Sequence, residues 1–394
     1  MTTFRSRVRG VVISTALGDA MGAPVEKLTY DEIKLKYGRV ESIMTRWHKM
    51  DLPEDVRLGR VRGDGIVTDD TLMTIALINV YHAEGRHLDA YDMGNEFVKE
   101  IAFRKTFVPE LNRETYIMER LFYPEKHIFL RHVLANCEPR EGGLGNMVNC
   151  GAAMYIAPIG VVNAGNPKAA YDEAILFAMG HQSSYGLEAA GVLAACVAKA
   201  FEPGATADAI VETALSLAKD GTKAAIAELT AAARDLRSRR DDRDAVIAVL
   251  HRIMAKYSPM GDDVSRHIDK AGIPSNHYTP NRLWSIEELP LALAFIVLND
   301  GDYYRSILDG INSGRDTDSI GVMAGVIVGA MHGSEVISPE DIRQLNAVNR
   351  LDLMDIADRF SATASRIIQD DLYAWEARRE MLAGIQGDGK EERP

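Results

Sequence analysis

The chain has 394 residues and carries 45 Lys and Arg against 57 Asp and Glu, a net charge of −12. That length is ample for a buried core, whereas the acidic balance offers no basic footprint for nucleic acid. The longest apolar run toward the C-terminus, Ile320–Met331, falls short of the roughly 20 residues that span a bilayer, so no membrane segment is expected.

In chain order, the N-terminus is basic and then apolar, but its apolar run is short for a secretory signal. Phe4, Val8, Val11, Val12 and Leu17 follow helical spacing and predict a first core helix. Gly22 and Pro24 predict its stop, which delivers Glu26 into a loop. A short strand is expected around Val40–Met44. Helical periodicity then marks Leu72–Tyr81, Leu187–Ala200, Ala205–Leu217, Thr222–Leu236 and Ala245–Tyr257, followed by Glu287–Asn299, Tyr303–Ile311, Ile320–Met331 and Leu351–Met381.

Gly, Pro, Asn and Asp concentrate in loops at Asp51–Gly65, Glu138–Gly151, Asn163–Pro167, Ser258–Pro280 and Asn312–Asp316. The segment Arg234–Arg243 alternates in sign and reads as a solvated helix face rather than a phosphate-binding patch. Cys137, Cys150 and Cys196 lack the spacing of a zinc or redox motif and suit a reduced cytoplasm. No internal repeat is visible. These elements predict an all-α, single-domain fold over residues 1–385, with a frayed tail at 386–394.

Two acidic motifs carry the chemistry. Asp69 and Asp70 stand in Thr68-Asp69-Asp70-Thr71, directly before an apolar helix. A helix N-terminus favours one such carboxylate, but two neighbouring carboxylates repel unless a cation lies between them. The second motif, Asp316-Thr317-Asp318-Ser319, repeats the arrangement before a helix of small residues. Four aspartates match the charge of two divalent ions, and the hydroxyls of Thr68 and Ser319 offer further oxygen donors. With no His or Cys in either motif, Mg²⁺ or Mn²⁺ is preferred over zinc.

Further ordered pieces accompany these motifs: GDAMGAPVE at 18–26, GAAMYIAPIG at 151–160, His181 within AMGHQSSYGLEAAGVLAA, and GRDTDSIGVMAG at 314–325. Together, from residue 4 to about 335, the set resembles the ADP-ribosylglycohydrolase family, which includes ADP-ribosyl-arginine hydrolases and dinitrogenase reductase-activating glycohydrolases. The resemblance implies a compact helical fold around a dinuclear Mg²⁺ or Mn²⁺ site. Thr68, Asp69, Asp70, Asp316, Asp318 and Ser319 would be the ligands, with Asp316 or Asp318 shared between ions. Glu26 would sit on a mobile loop over the ribose and, with Asp70 and Asp316, serve catalysis. The substrate side would be formed by Gly145, Asn149, Gly151, Met154, Tyr155, His181 and Gly314. By sequence alone, His181 reads more simply as a buried core histidine. One departure stands out: many relatives have a Met-Arg pair where this chain has Met154-Tyr155, and tyrosine lacks the bidentate grip of a guanidinium.

The expected activity is hydrolysis of an N-glycosidic bond at C1′ of a ribose, on an ADP-ribosylated protein or an ADP-ribose-like small molecule. A nucleosidase-like enzyme acting on a small N-riboside is one alternative. A catalytically silent binding or structural protein of the same fold is the other. A prenyl-diphosphate synthase is disfavoured because no third acid follows Asp69-Asp70 one helical turn on. A His-Asp phosphohydrolase is disfavoured because no adjacent His-Asp pair exists.

Overall fold

The computed structural model describes residues 2–258 and 285–387. Fourteen α-helices of eight or more residues make up most of them. In chain order these are α1 (Phe4–Gly22), α2 (Tyr30–Tyr37), α3 (Asp69–Glu84), α4 (Tyr123–Ala135), α5 (Pro167–Ala178), α6 (Ser184–Ala200) and α7 (Ala207–Leu217). They are followed by α8 (Asp220–Leu236), α9 (Arg243–Met254), α10 (Ser285–Leu298), α11 (Tyr303–Asn312), α12 (Thr317–His332), α13 (Pro339–Asn349) and α14 (Leu353–Gly387). The protein is an all-α single domain, as its periodicity predicts. Its apolar side chains form one continuous core that runs from Val8 in α1 to Ile367 in α14.

Local chemistry explains many of the boundaries. Thr3 caps α1 by accepting from the Ser6 N–H, and Thr29 with Glu32 forms a reciprocal capping box on α2. Asn166 and Ser338 cap α5 and α13, each with proline at the first helical position. Gly85 ends α3 in the left-handed conformation.

The centre of the fold is the packing of α1 against α12. A Cβ on Gly18 would lie 2.4 Å from the Gly321 carbonyl carbon, and one on Gly22 would lie 2.4 Å from the Thr317 carbonyl oxygen. Only glycine permits backbones to approach so closely, and this approach sets the start of α12 beside the end of α1. The Thr317 hydroxyl donates to the Gly22 carbonyl at 2.8 Å and locks the junction.

Three features depart from the sequence reading. No strand forms at Val40–Met44; the backbone N–H and C=O of Val40 are both paired by the Asn312 side-chain amide, at 2.8 and 2.9 Å, so no partner strand is needed. The sheet among the described residues is instead a short antiparallel hairpin, β1 (Lys105–Val108) with β2 (Arg113–Tyr116), joined through a turn at Pro109–Leu111. Helices α2, α4, α5 and α13 were also not anticipated; α2 and α13 bury few of their residues, so their apolar periodicity is weak.

The segment Arg234–Arg243 spans the end of α8, a turn and the start of α9, where Arg234 and Arg237 engage Asp208 and Arg239 engages Asp242. The expected loop beyond Ser258, at 259–280, lies outside the described residues, as does all but the beginning of the expected tail at 386–394. No described helix is long and apolar enough to cross a membrane.

Candidate active site

The two acidic motifs meet at one cleft because α1 touches both. Asp19, buried in α1, accepts from the backbone N–H groups of Thr68 at 2.8 Å and Thr71 at 3.1 Å, and from the Thr71 hydroxyl. It therefore supplies the N-terminal cap of α3 that Thr68 does not supply itself. Burial pushes its carboxyl up to about 6, against the pull of these hydrogen bonds. Three residues further along α1, Gly22 abuts the start of α12. Ser319 then reaches across and donates to Asp70 Oδ1 at 3.2 Å, while Thr68 donates to Asp70 Oδ2 at 3.4 Å.

The loop before α12 is fastened to the segment after α1. The Lys27 N–H donates to the Arg315 carbonyl and the Arg315 N–H to the Leu28 carbonyl, each at 2.7 Å. Gly314 lies in this pairing with φ near +87°, and a Cβ there would meet the Leu28 carbonyl at 2.7 Å. Glu26 consequently stands beside Asp316 and Asp318, with carboxylate oxygens of all three within 4.8 Å of one another.

Acid crowds acid on this floor. Burial, then Asp318, Asp19 and Asp69, hold Asp70 well above the usual carboxylate range. Burial, then Glu26 and Asp316, do the same for Asp318, and burial with Glu288 pushes Asp316 up to about 8. Asp69 is also raised by burial, although Arg120 beside it opposes the shift. Glu26 behaves differently: burial would raise it, but Arg62 and Lys27 overcome that and hold it well below its ordinary value. Like-charge crowding in a desolvated pocket is the setting in which divalent cations are the natural counter-charge. The donor set, carboxylates and hydroxyls around one cleft, fits a hard cation.

A chain of buried ion pairs frames the floor. Arg62 pairs with Glu26 and, at 2.6 Å, with Glu110; Arg120 pairs with Glu110 and Asp69. Glu110, fully buried, is delivered by the turn between β1 and β2, so the hairpin absent from the sequence reading positions two arginines. The only available sequence signal was the acid of Val108-Pro109-Glu110, and nothing local distinguishes it from a surface turn.

The cleft is open to solvent on one side, with about 730 Å³ of empty space over it when the adjoining solvent is included. Asp69, Asp70, Asp316, Asp318 and Ser319 line its floor; Glu26, Lys27, Arg60, Arg62 and Arg120 form an ionic flank. The remaining wall is Phe122, Glu125, Met147, Asn149, Cys150, Gly151 and Met154. Of the anticipated substrate side, Asn149, Gly151 and Met154 thus reach the cleft. Gly145 sits on the exposed surface of its loop, and Gly314 is occupied by the Leu28–Tyr30 backbone.

Tyr155 and His181 are fully buried behind the wall. The Tyr155 hydroxyl and His181 Nδ1 share a hydrogen bond of 2.8 Å, and His181 Nε2 contacts the Glu125 carboxylate. Glu125 also accepts from Asn149 at 2.8 Å. Burial would raise Glu125, but His181 holds it below its ordinary value. Tyr155 and His181 therefore lie behind the cleft surface, and Glu125, which sequence reasoning missed, stands between His181 and the cleft. A Cβ on Gly151 would stand 2.7 Å from Glu125 Oε1, which explains glycine there.

The ADP-ribosylglycohydrolase family model matches residues 1–369. The chain belongs to the ADP-ribosylglycohydrolase family. It is accordingly an enzyme of a hydrolase family. Among curated relatives, it is 26% identical over 352 residues to the uncharacterized protein YegU of Escherichia coli (strain K12), covering 88% of this chain and 93% of that one. It is 24% identical over 347 residues to the ADP-ribosylhydrolase ARH3 of Bos taurus, covering 86% and 88%. A solved structure described as an ADP-ribosylglycohydrolase-related protein complex shares the fold with a TM-score of 0.55 at 18% identity, covering 92% of this chain and all of that one. The ADP-ribosylglycohydrolase fold thus extends over nearly the whole chain, and the cleft lies where its two acidic motifs converge.

Proposed function

We propose that the enzyme hydrolyses the N-glycosidic bond at C1′ of a ribose in an ADP-ribosylated protein or a related ADP-ribose compound, with two Mg²⁺ or Mn²⁺ ions. The observation that carries this reading is the cleft's division into an acidic floor and a cationic flank. The floor suits metal ions and ribose hydroxyls; Arg60 and Lys27, at its margin, suit a diphosphate. They answer the lack of an arginine at position 155, because the cationic flank comes from a different part of the chain.

Thr68, Asp69, Asp70, Asp316, Asp318 and Ser319 would hold the ions, which when bound supply Lewis acidity and acidify water. The carboxylates on the floor stabilise positive charge that develops on the sugar as the C1′–N bond breaks. Glu26, held by Arg62, and Asp316 orient the attacking water. Its oxygen joins C1′, and one of its protons goes to the departing nitrogen. Glu125 and Asn149 bind the side of the ligand that faces the opposite wall. The unpaired thiols of Cys137, Cys150 and Cys196 suit a cytoplasmic setting.

The test compares release of ADP-ribose from ADP-ribosyl-arginine with release of ribose from a nucleoside panel, in Mg²⁺ and in Mn²⁺. The expected result is divalent-dependent release from the ADP-ribosylated substrate. Turnover confined to nucleosides would replace the substrate assignment, and turnover unaffected by chelation would overturn the metal assignment.

A further inference from the structure

Cys150 is the cysteine that lines the cleft, and the hydrolytic reaction has no use for it. Its Sγ donates to Asp316 Oδ2 at 3.1 Å and to the Ser319 hydroxyl at 3.4 Å. A carboxylate oxygen of Glu288, at the start of α10, completes a group in which Sγ and the two acids all lie within 4.8 Å of one another. Glu288 is 1% exposed, and its Oε2 is sealed from solvent with no hydrogen-bond partner. A buried carboxylate oxygen left without a partner is costly, and a cation beside Cys150 would satisfy it.

The donor set differs in kind from that of the acidic floor. Sulfur is a soft ligand that selects Zn²⁺-class ions over Mg²⁺ or Mn²⁺. Donors around a common tetrahedral zinc stand roughly 3.3–3.5 Å apart, from bond lengths of about 2.0 Å to oxygen and 2.3 Å to sulfur. Modest side-chain adjustment brings the three groups to that spacing. A fourth position would remain for water on the cleft side.

We propose that Cys150, Glu288 and Asp316 form a separate site for a thiophilic divalent cation of the Zn²⁺ class. Binding replaces the thiol proton, which leaves to solvent through the cleft. Because Asp316 also belongs to the acidic floor, occupancy withdraws it from the hard-ion site and inhibits hydrolysis. Only this last consequence rests on the proposed reaction; the site itself rests on the three side chains.

Co²⁺, a spectroscopic stand-in for Zn²⁺, is titrated into the full-length protein without substrate. The Cys137→Ser background removes the thiol that lies 3.5 Å from His132 Nδ1. The expected result is a near-ultraviolet thiolate-to-cobalt charge-transfer band, displaced by Zn²⁺ but not by Mg²⁺, and lost in Cys150→Ser. Glu288→Gln is expected to weaken Co²⁺ binding at least about tenfold, since even groups that merely support a metal ligand contribute that much. Absence of the band, its survival in Cys150→Ser, or unchanged affinity in Glu288→Gln would overturn the site. A band with these properties in protein that releases no ADP-ribose supports the site and counts against the proposed reaction; turnover without the band does the reverse.

Discussion

Ser319 donates a hydrogen bond to Asp70 Oδ1 at 3.2 Å across 249 positions of sequence. Through this contact the two acidic motifs, each at the start of its own helix, become one floor. The carboxylates of Asp70 and Asp318 are both held well above their usual range, first by burial and then by neighbouring acids.

Asp70→Asn and Asp316→Asn are each expected to lower turnover at least about a hundredfold while leaving the helical content unchanged. Circular dichroism with single-turnover assays checks this. In chelator, Asp70→Asn is expected to melt no lower than the parent, because it relieves carboxylate crowding. With Mg²⁺ it is expected to lose the stabilisation that ligand binding confers. Wild-type activity in either variant would sink the dinuclear site.

Gly18→Ala places a methyl group 2.4 Å from the Gly321 backbone. The overpacking is expected to cost about 1–3 kcal/mol in urea denaturation. Because the same contact sets α12 beside α1, divalent affinity should fall with it. A variant as stable as the parent would show that the α1–α12 approach is not rigid.

Arg60→Ala tests the cationic flank. The KM for an ADP-ribosylated substrate is expected to rise about tenfold or more, as for loss of a charged hydrogen bond to phosphate. Any slow hydrolysis of an uncharged nucleoside should be unchanged. Equal effects on both substrates would show that Arg60 does not meet the diphosphate.

Glu125 and Tyr155 are predicted to separate in their effects. Glu125→Ala removes a group on the cleft wall and should raise KM. Tyr155→Phe loses only the hydrogen bond to His181 Nδ1, costing about 1 kcal/mol of stability, with KM nearly unchanged. A Tyr155→Phe variant with the larger KM would place the tyrosine in direct contact with substrate.

His87 ties α14 to the body of the fold: Nδ1 lies 2.6 Å from Glu173 and Nε2 lies 2.9 Å from Asp371. The hydrogen bond to Glu173, opposed by burial and reinforced by the charges of Glu173 and Asp371, raises the imidazole to about 9. A raised folded-state value means that this stabilisation is complete below about pH 6.5 and is lost as the pH climbs through about 9. The side chain is 35% exposed, so solvent screening reduces the contribution to about 1 kcal/mol. Denaturation midpoints measured between pH 6 and 10 should fall across that window, and His87→Gln should flatten the fall.

Helical periodicity, the glycine and proline punctuation after α1, and the placing of each Asp pair at a helix start were all legible in the sequence, because each depends on residues within a few positions of one another. The ordered motifs also carried the family. What sequence could not decide was convergence. Asp19 caps α3 from another helix, Glu110 arrives on a hairpin to hold Arg62 and Arg120, and Glu125 lines the cleft wall in front of the buried His181. None of these has a local signature, since an acid that binds a distant arginine or backbone N–H looks in sequence like any surface acid. The meeting of the two aspartate motifs was decided by the tertiary structure alone, where glycines in α1 and α12 let two backbones approach more closely than any side chain would allow.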